Sequence, residues 1–174
     1  MTNSHIAVIK NELKLSRILT DIFIVTGILV IPIISHSLSI PFYLIEPMRL
    51  AVVYVLLFDS KYHAYRLAIM LPFFSYMFTG HPFLLKALLI CLELCVQVFS
   101  INYFRRLIPR LYLIVIASVF VSKLFYYTLK WSFLQLNFIN GHLISTSLVY
   151  QLIPIIILSI SCLLLFPQRN NIDK

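Results

Sequence analysis

The placement of basic residues between apolar segments constrains the fold of this chain more than any other feature. Ten of the fourteen Lys and Arg residues lie at the termini and in alternate connections between strongly apolar segments. In membrane proteins such residues collect in cytoplasmic connections. The ten are Lys10, Lys14, Arg17, Lys61, Arg66, Arg105, Arg106, Arg110, Arg169 and Lys174. The pattern predicts a multi-pass membrane protein with both termini in the cytoplasm.

The composition excludes an ordinary soluble domain. Hydrophobic residues make up 61% of the chain and the mean hydropathy is +0.96, whereas soluble domains are about half apolar. Three glycines and no charge-rich tail leave no room for a linker, so residues 1–174 are predicted to form a single integral membrane domain of the cell membrane. The net charge of +8 does not indicate nucleic-acid binding, because the basic residues punctuate apolar runs.

Six apolar segments predict an all-α bundle of about six transmembrane helices, since a helix needs about 20 apolar residues to cross a bilayer. Their expected limits are 15–35, 47–58, 64–79, 82–104, 109–129 and 146–166. The second and third segments have the least defined limits, because residues 51–78 also fit one long hairpin. The first segment follows basic residues as a signal peptide does, but it contains Asp21 and lacks a small-residue cleavage site, so we expect a retained helix.

The fourth segment carries polar residues on one helix face. Lys86, Glu93 and Gln97 are separated by seven and four residues, a spacing that aligns side chains along a helix. A carboxylate facing lipid near the middle of a bilayer costs at least about 2.5 kcal/mol. Glu93 is therefore expected to face the interior of the bundle or a water-filled cavity.

Further polar residues are predicted in the outer half of the bundle, where positive charge is in excess. The fifth segment adds a second polar stripe at Lys123, Tyr127 and Lys130. The candidate solute-binding residues are Arg49, Thr79, His81, Lys86, Glu93, Lys123, Tyr127 and Gln151. Their placement predicts an outward-facing pocket for a small anionic or zwitterionic solute.

The same residues also have structural interpretations, which the sequence leaves open. On this alternative Glu93 pairs with Lys123 on another helix, Arg49 pairs with Glu46 one helical turn away, and Asp21 caps its helix or pairs with Arg17. Lys130 would then extend along the helix to place its ammonium at the membrane interface. His81 would be an ordinary loop residue. On this interpretation the charges hold helices together and bind no solute.

Catalytic and metal-binding patterns are weak. The five histidines form no HExxH motif, and neither a GxSxG motif nor a phosphate-binding loop occurs. Cys91, Cys95 and Cys162 lie within apolar segments, where small buried residues are more typical than disulfides or metal ligands. The chain is therefore predicted to be neither an enzyme nor an ATPase, and no cofactor or metal is expected.

Several short stretches resemble a known family. They are Leu71-Pro72, Thr79-Gly80-His81-Pro82, Lys86-Ala87-Leu88-Leu89-Ile90, Glu93-Leu94 and Ser122-Lys123-Leu124 with Tyr126-Tyr127 and Lys130. Over roughly residues 45–131 the chain resembles the substrate-binding S components of energy-coupling factor (ECF) transporters. The resemblance implies about six helices and uptake of a vitamin or other small micronutrient. It also implies as partners a membrane coupling protein and two cytoplasmic ATPases.

One departure from that family lies in the first segment. Many S components carry a small-residue AxxxA pattern there for docking the coupling protein, and this chain reads IFIVTGILVIPIIS instead. The alternative function is a structural scaffold of the cell envelope, similar to small six-span rod-shape proteins. On that alternative the intramembrane charges would only pair helices.

Overall fold

A computed structural model describes residues 18–31, 45–80, 83–138 and 148–165. Within these ranges the regular structure consists of six helices and no strands, which confirms the all-α prediction. The helices are α1 (Ile18–Ile31), α2 (Pro47–Phe58), α3 (Lys61–Thr79), α4 (Leu84–Phe104), α5 (Leu111–Gln135) and α6 (Leu148–Leu165).

The boundary between α2 and α3 follows from capping chemistry. Pro47 occupies the start of α2, where its missing N–H would have no helical partner anyway. Ser60 begins α3 by accepting a hydrogen bond from the backbone N–H of His63 at 3.3 Å. Gly80 ends α3 in a left-handed conformation with φ 68°, which glycine adopts without strain. The uncertain region therefore contains two helices, and α3 begins three residues before the predicted limit.

Helix α5 extends six residues past its predicted end at residue 129 and finishes at Gln135. The polar residues of this extension do not interrupt it, because their hydroxyls bond within the helix. Thr128 and Ser132 donate to the carbonyls of Leu124 and Thr128, at 2.8 and 3.1 Å. Apolar run length therefore underestimates this helix.

Two of the described helices, α4 and α5, are long and apolar enough to cross a bilayer by length and composition. Large apolar side chains on their outer surfaces are exposed, including Phe99, Phe120 and Leu124. Exposed apolar surface of this kind is typical of contact with lipid or another protein. These features suggest a membrane protein.

The packing places α4 centrally, with α3 and α5 on either side of it. Helix α2 packs against α3 and also contacts α4 and α6, while α6 packs against α5. Buried residues from all six helices form one apolar core, whose fully buried members include Val52, Val53, Ala64, Ala68, Val98 and Val115. This core occupies the part of the bundle that α2 lines.

Helix α2 is much shorter than its neighbours and begins halfway along them. It has 12 residues, or about 18 Å, against about 32 Å for the 21 residues of α4. Glu46, just before α2, contacts Lys123, which is near the centre of α5. At the other end of α2, Arg105 Nη2 donates to the carbonyl of Leu56 at 3.4 Å. Helix α2 therefore lines only the half of the bundle that contains the end of α4.

Candidate functional site

Four charged side chains meet where α2 begins, and we call Glu46, Arg49, Glu93 and Lys123 the ion cluster. Arg49 Nη2 bonds to Glu93 Oε1, and Arg49 Nε lies 2.6 Å from Glu46 Oε2. Lys123 Nζ bonds to Glu46 Oε1 and lies 3.2 Å from Glu93 Oε1. Each cation thus contacts both carboxylates, and the four formal charges sum to zero.

The ion cluster is more buried on one side than on the other. The side chains of Arg49 and Glu93 are 2% and 6% exposed, whereas those of Lys123 and Glu46 are 17% and 23% exposed. Taking charges out of water is costly, and mutual attraction offsets that cost only when each charge is well paired. The alternating arrangement meets this condition. Loss of one member would leave a buried charge without compensation.

Glu46 and Arg49 meet because they are close in sequence, but the backbone of Glu46 is strained in this arrangement. They are three residues apart around the first turn of α2, a spacing that lets side chains meet. Glu46 itself has φ 52°, in the left-handed region, which is uncommon for residues other than glycine. Such a conformation costs about 1–3 kcal/mol and persists only when surrounding contacts hold it. The bonds from Glu46 to Arg49 and Lys123 are such contacts.

Hydrogen-bonding capacity remains unused beside the ion cluster. Gln97 lies one helical turn beyond Glu93 and is 0% exposed, and neither its amide oxygen nor its amide nitrogen has a partner among the described residues. Arg49 Nη1 is likewise buried and makes no hydrogen bond within the described ranges. Buried polar groups in native structures are nearly always paired. The two nitrogens can therefore donate a hydrogen bond to an additional partner, and the Gln97 oxygen can receive one.

A second polar group lies on α5 and α6, beyond the start of α2. Gln151 Nε2 donates to Tyr127 Oη at 2.6 Å, which joins the two helices. Lys123 Nζ lies 5.7 Å from the centre of the Tyr126 ring, within the range of a cation–π contact. Lys130, one turn beyond Tyr126 on α5, is only 7% exposed. It is therefore buried within the protein, whereas the structural interpretation of the sequence placed its ammonium at the membrane interface.

The structure brings together some of the predicted site residues and not others. Arg49, Glu93 and Lys123 converge in the ion cluster, and Tyr127 and Gln151 bond to each other one turn away. Lys86 is exposed on the first turn of α4, two turns from Glu93. His81 and the side chain of Thr79 lie outside the described residues.

A further cluster was not predicted, and it lies where α2 ends and α3 begins. His63, 2% exposed, bonds through Nδ1 to Asp59 Oδ2 at 2.5 Å and through Nε2 to Asp21 of α1. We call these three residues the histidine cluster. The spacing of four between Asp59 and His63 was a visible signal, but the contact with α1 was not. Asp21 thus pairs with His63, and its expected partner Arg17 lies outside the described residues.

The described residues were also compared with the arrangement that a metal ion needs. Within ranges 18–31, 45–80, 83–138 and 148–165, no group of three or more His, Cys, Asp or Glu residues is arranged to hold a metal ion. The ion cluster can bind charged and hydrogen-bonding groups of complementary chemistry. Hydrogen bonds are strong there because the cluster is largely buried from water.

Comparisons of the chain with protein-family models, with curated proteins and with solved structures find no significant match.

Proposed function

We propose that this chain is the substrate-binding membrane subunit of an ECF-type importer for a vitamin or other small micronutrient. The observation that supports this best is the convergence of Arg49, Glu93 and Lys123 at the start of α2. These residues come from three different helices and meet near the middle of α4 and α5. Ionisable side chains at such a depth are expensive, and in membrane proteins they commonly mark binding sites or solute pathways.

The proposed orientation follows from the basic residues. Lys61 at the α2–α3 connection and Arg105, Arg106 and Arg110 at the α4–α5 connection lie on the side to which α2 extends. Basic connections favour the cytoplasmic side, so that side and both termini are cytoplasmic in the proposal. Helix α2 then lines the cytoplasmic half of a six-span bundle. The outer halves of α4, α5 and α6 flank a pocket whose floor is the ion cluster.

The proposed pocket can bind a polar solute without reacting with it. Arg49 and Lys123 supply cationic donors at its floor, and Tyr127 and Gln151 supply hydroxyl and amide groups beside it. Hydrogen bonds to charged groups contribute about 1.5–3 kcal/mol each. Energy for uptake would come from partners, namely a membrane coupling protein and two cytoplasmic ATPases, as the resemblance to S components implies.

A specific observation also favours a second function, that of a structural scaffold in the cell envelope. Every charge of the ion cluster has opposite-charge partners within the protein. Such a cluster could serve only to join α2, α4 and α5. On this alternative no solute is bound, and removal of the charges affects stability alone.

Mass spectrometry of small molecules that copurify with the protein in lipid nanodiscs distinguishes the two functions. The informative variant is the double substitution Glu93→Gln/Lys123→Gln, which removes one anion and one cation and leaves Arg49 paired with Glu46. Under the proposed function the parent retains a polar solute that empty nanodiscs do not, and the folded double variant loses it. A parent that retains no solute, with a double variant that is merely less stable, would favour the scaffold.

A further inference from the structure

Building on the proposed solute-binding role, we infer that the solute has no net charge and that Gln97 is one of its ligands. The solute would be a zwitterion or an uncharged polar molecule. The sequence alone suggested an excess of positive charge and left net anions equally open. The contacts of the ion cluster and the unpaired amide of Gln97 narrow that range.

The charge balance of the ion cluster opposes a net anion. Glu46 and Glu93 offset Arg49 and Lys123, so the four formal charges already sum to zero. A solute with net charge would add an uncompensated charge to a buried region, which desolvation strongly opposes. A zwitterion adds none. Its anionic group can bond to Arg49 or Lys123 while its cationic group bonds to Glu46 or Glu93.

The unpaired atoms specify hydrogen-bonding groups of the solute. Arg49 Nη1 needs an acceptor, and the amide of Gln97 presents a donor and an acceptor side by side. The complement of an amide is another amide or the edge of a nitrogen heterocycle, which carries an acceptor next to a donor. We therefore expect the solute to combine a carboxylate or carbonyl oxygen with such an edge.

The route to Gln97 passes through the more exposed side of the ion cluster. Glu93 faces Lys123 between α4 and α5, so Gln97 lies one turn deeper than this contact. Lys123 and Glu46 are the most exposed members of the cluster, and Glu46 has a strained backbone. Opening of the Glu46–Lys123 bond would admit the solute and allow the backbone at Glu46 to relax. The ion cluster thus separates the outer pocket from Gln97, and this floor must open for the solute to reach the amide.

The experiment exposes the protein in nanodiscs to an equimolar mixture of polar metabolites that range from dianions to monocations. Compounds retained above empty nanodiscs are identified by mass spectrometry, and the affinity of the most strongly retained compound is then measured for each variant. Retained compounds should have zero net charge. Glu46→Gln, which leaves the ion cluster with one excess positive charge, should shift retention toward monoanions.

Gln97→Leu tests the deeper part of the site. This variant should be at least as stable as the parent, because it removes a buried unpaired amide, yet it should bind the retained compound at least tenfold more weakly. Ser118→Ala is the matched control, since Ser118 is fully buried but its hydroxyl already donates to the carbonyl of Val115 at 2.8 Å. We expect this control to bind as the parent does.

The possible failures are distinguishable. Retention of net anions by the parent, or no shift with Glu46→Gln, would overturn the inference about charge and leave the solute-binding role intact. Unchanged binding by Gln97→Leu would show that Gln97 is not a ligand and would overturn this part of the inference. Retention of nothing beyond empty nanodiscs would overturn the proposed function, and this inference with it.

Discussion

The ion cluster and the histidine cluster both hold charged side chains between helices, but they differ in how far those side chains are exposed to solvent. In the ion cluster, two cations and two anions alternate near the middle of α4 and α5, and Arg49 and Glu93 are almost fully buried. In the histidine cluster, two carboxylates share one imidazole at the end of α2, and Asp21 and Asp59 are 36% and 26% exposed. Both carboxylates there are thus several times more exposed than the side chains of Arg49 and Glu93. The loss of one charged partner should therefore cost more in the ion cluster than in the histidine cluster.

The largest expected effect concerns which cluster lies at the cytoplasmic end. Arg106 lies at the end of the bundle that holds the histidine cluster, and Leu136 lies just past the opposite end, where α5 finishes. Each is replaced by cysteine in a background without other cysteines. We expect a membrane-impermeant thiol reagent applied outside intact cells to label Leu136→Cys and to leave Arg106→Cys unlabelled, because basic connections face the cytoplasm. External labelling of Arg106→Cys would contradict the six-span orientation. Labelling of both variants in permeabilised cells provides the control.

The next largest effect is expected from breaking the balanced cluster. Glu93→Leu leaves Arg49 and Lys123 without one of their shared anions, and loss of one partner from a buried ion pair costs about 3–5 kcal/mol. The measurement is thermal unfolding in nanodiscs. The double variant Glu93→Leu/Arg49→Met restores the balance of charge and should recover part of the loss. If single and double variants unfold alike, charge balance does not govern stability at this depth.

A smaller effect is expected in the histidine cluster. His63→Leu removes bonds to two carboxylates that solvent can still hydrate, so the loss should fall nearer to about 1–2 kcal/mol. The same unfolding assay applies, with Asp59→Asn and Asp21→Asn as variants that remove one carboxylate each. A loss as large as that of Glu93→Leu would break the comparison, because it would mean that exposure does not moderate the cost of an unpaired charge.

The smallest expected effect is a stability difference between two substitutions of Glu46, and it tests whether the backbone there is strained. Substitution by Ala or Gly removes the same carboxylate, but only Gly adopts φ near 52° without strain. Glu46→Gly should therefore be more stable than Glu46→Ala by about 1 kcal/mol. The difference between the two unfolding midpoints measures it. Equal midpoints would show that the backbone relaxes once the carboxylate is lost.

Sequence spacing predicted part of the candidate site and failed at recognisable points. The separation of three predicted the pair Arg49–Glu46, and the structural interpretation paired Glu93 with Lys123; both contacts are present. The bonds from Arg49 to Glu93 and from Lys123 to Glu46 join residues 44 and 77 positions apart. Helical periodicity carries no information over such distances. It aligns residues on one helix but does not say which faces meet.

The fold shows the same division between local and tertiary information. Pro47 and Gly80 mark helix ends by their own backbone chemistry, and the predicted limits of α2 and the predicted end of α3 agree with the structure, whereas the start of α3 at the Ser60 cap was missed by three residues. The end of α5 could not, because Thr128 and Ser132 satisfy their hydroxyls within the helix. The sequence also could not predict that α2 begins near the middle of the bundle, since this depends on which residues of α4 and α5 lie beside it.

The short α2 has an electrostatic consequence that formal charges do not express. Aligned peptide dipoles give the start of a helix roughly half an elementary positive charge. A helix that crosses the whole bundle places this partial charge at the surface, where water screens it. Helix α2 places it beside the ion cluster, because Pro47 lies near the middle of α4 and α5. A bound zwitterion should therefore place its anionic group closest to the first turn of α2, beside Arg49.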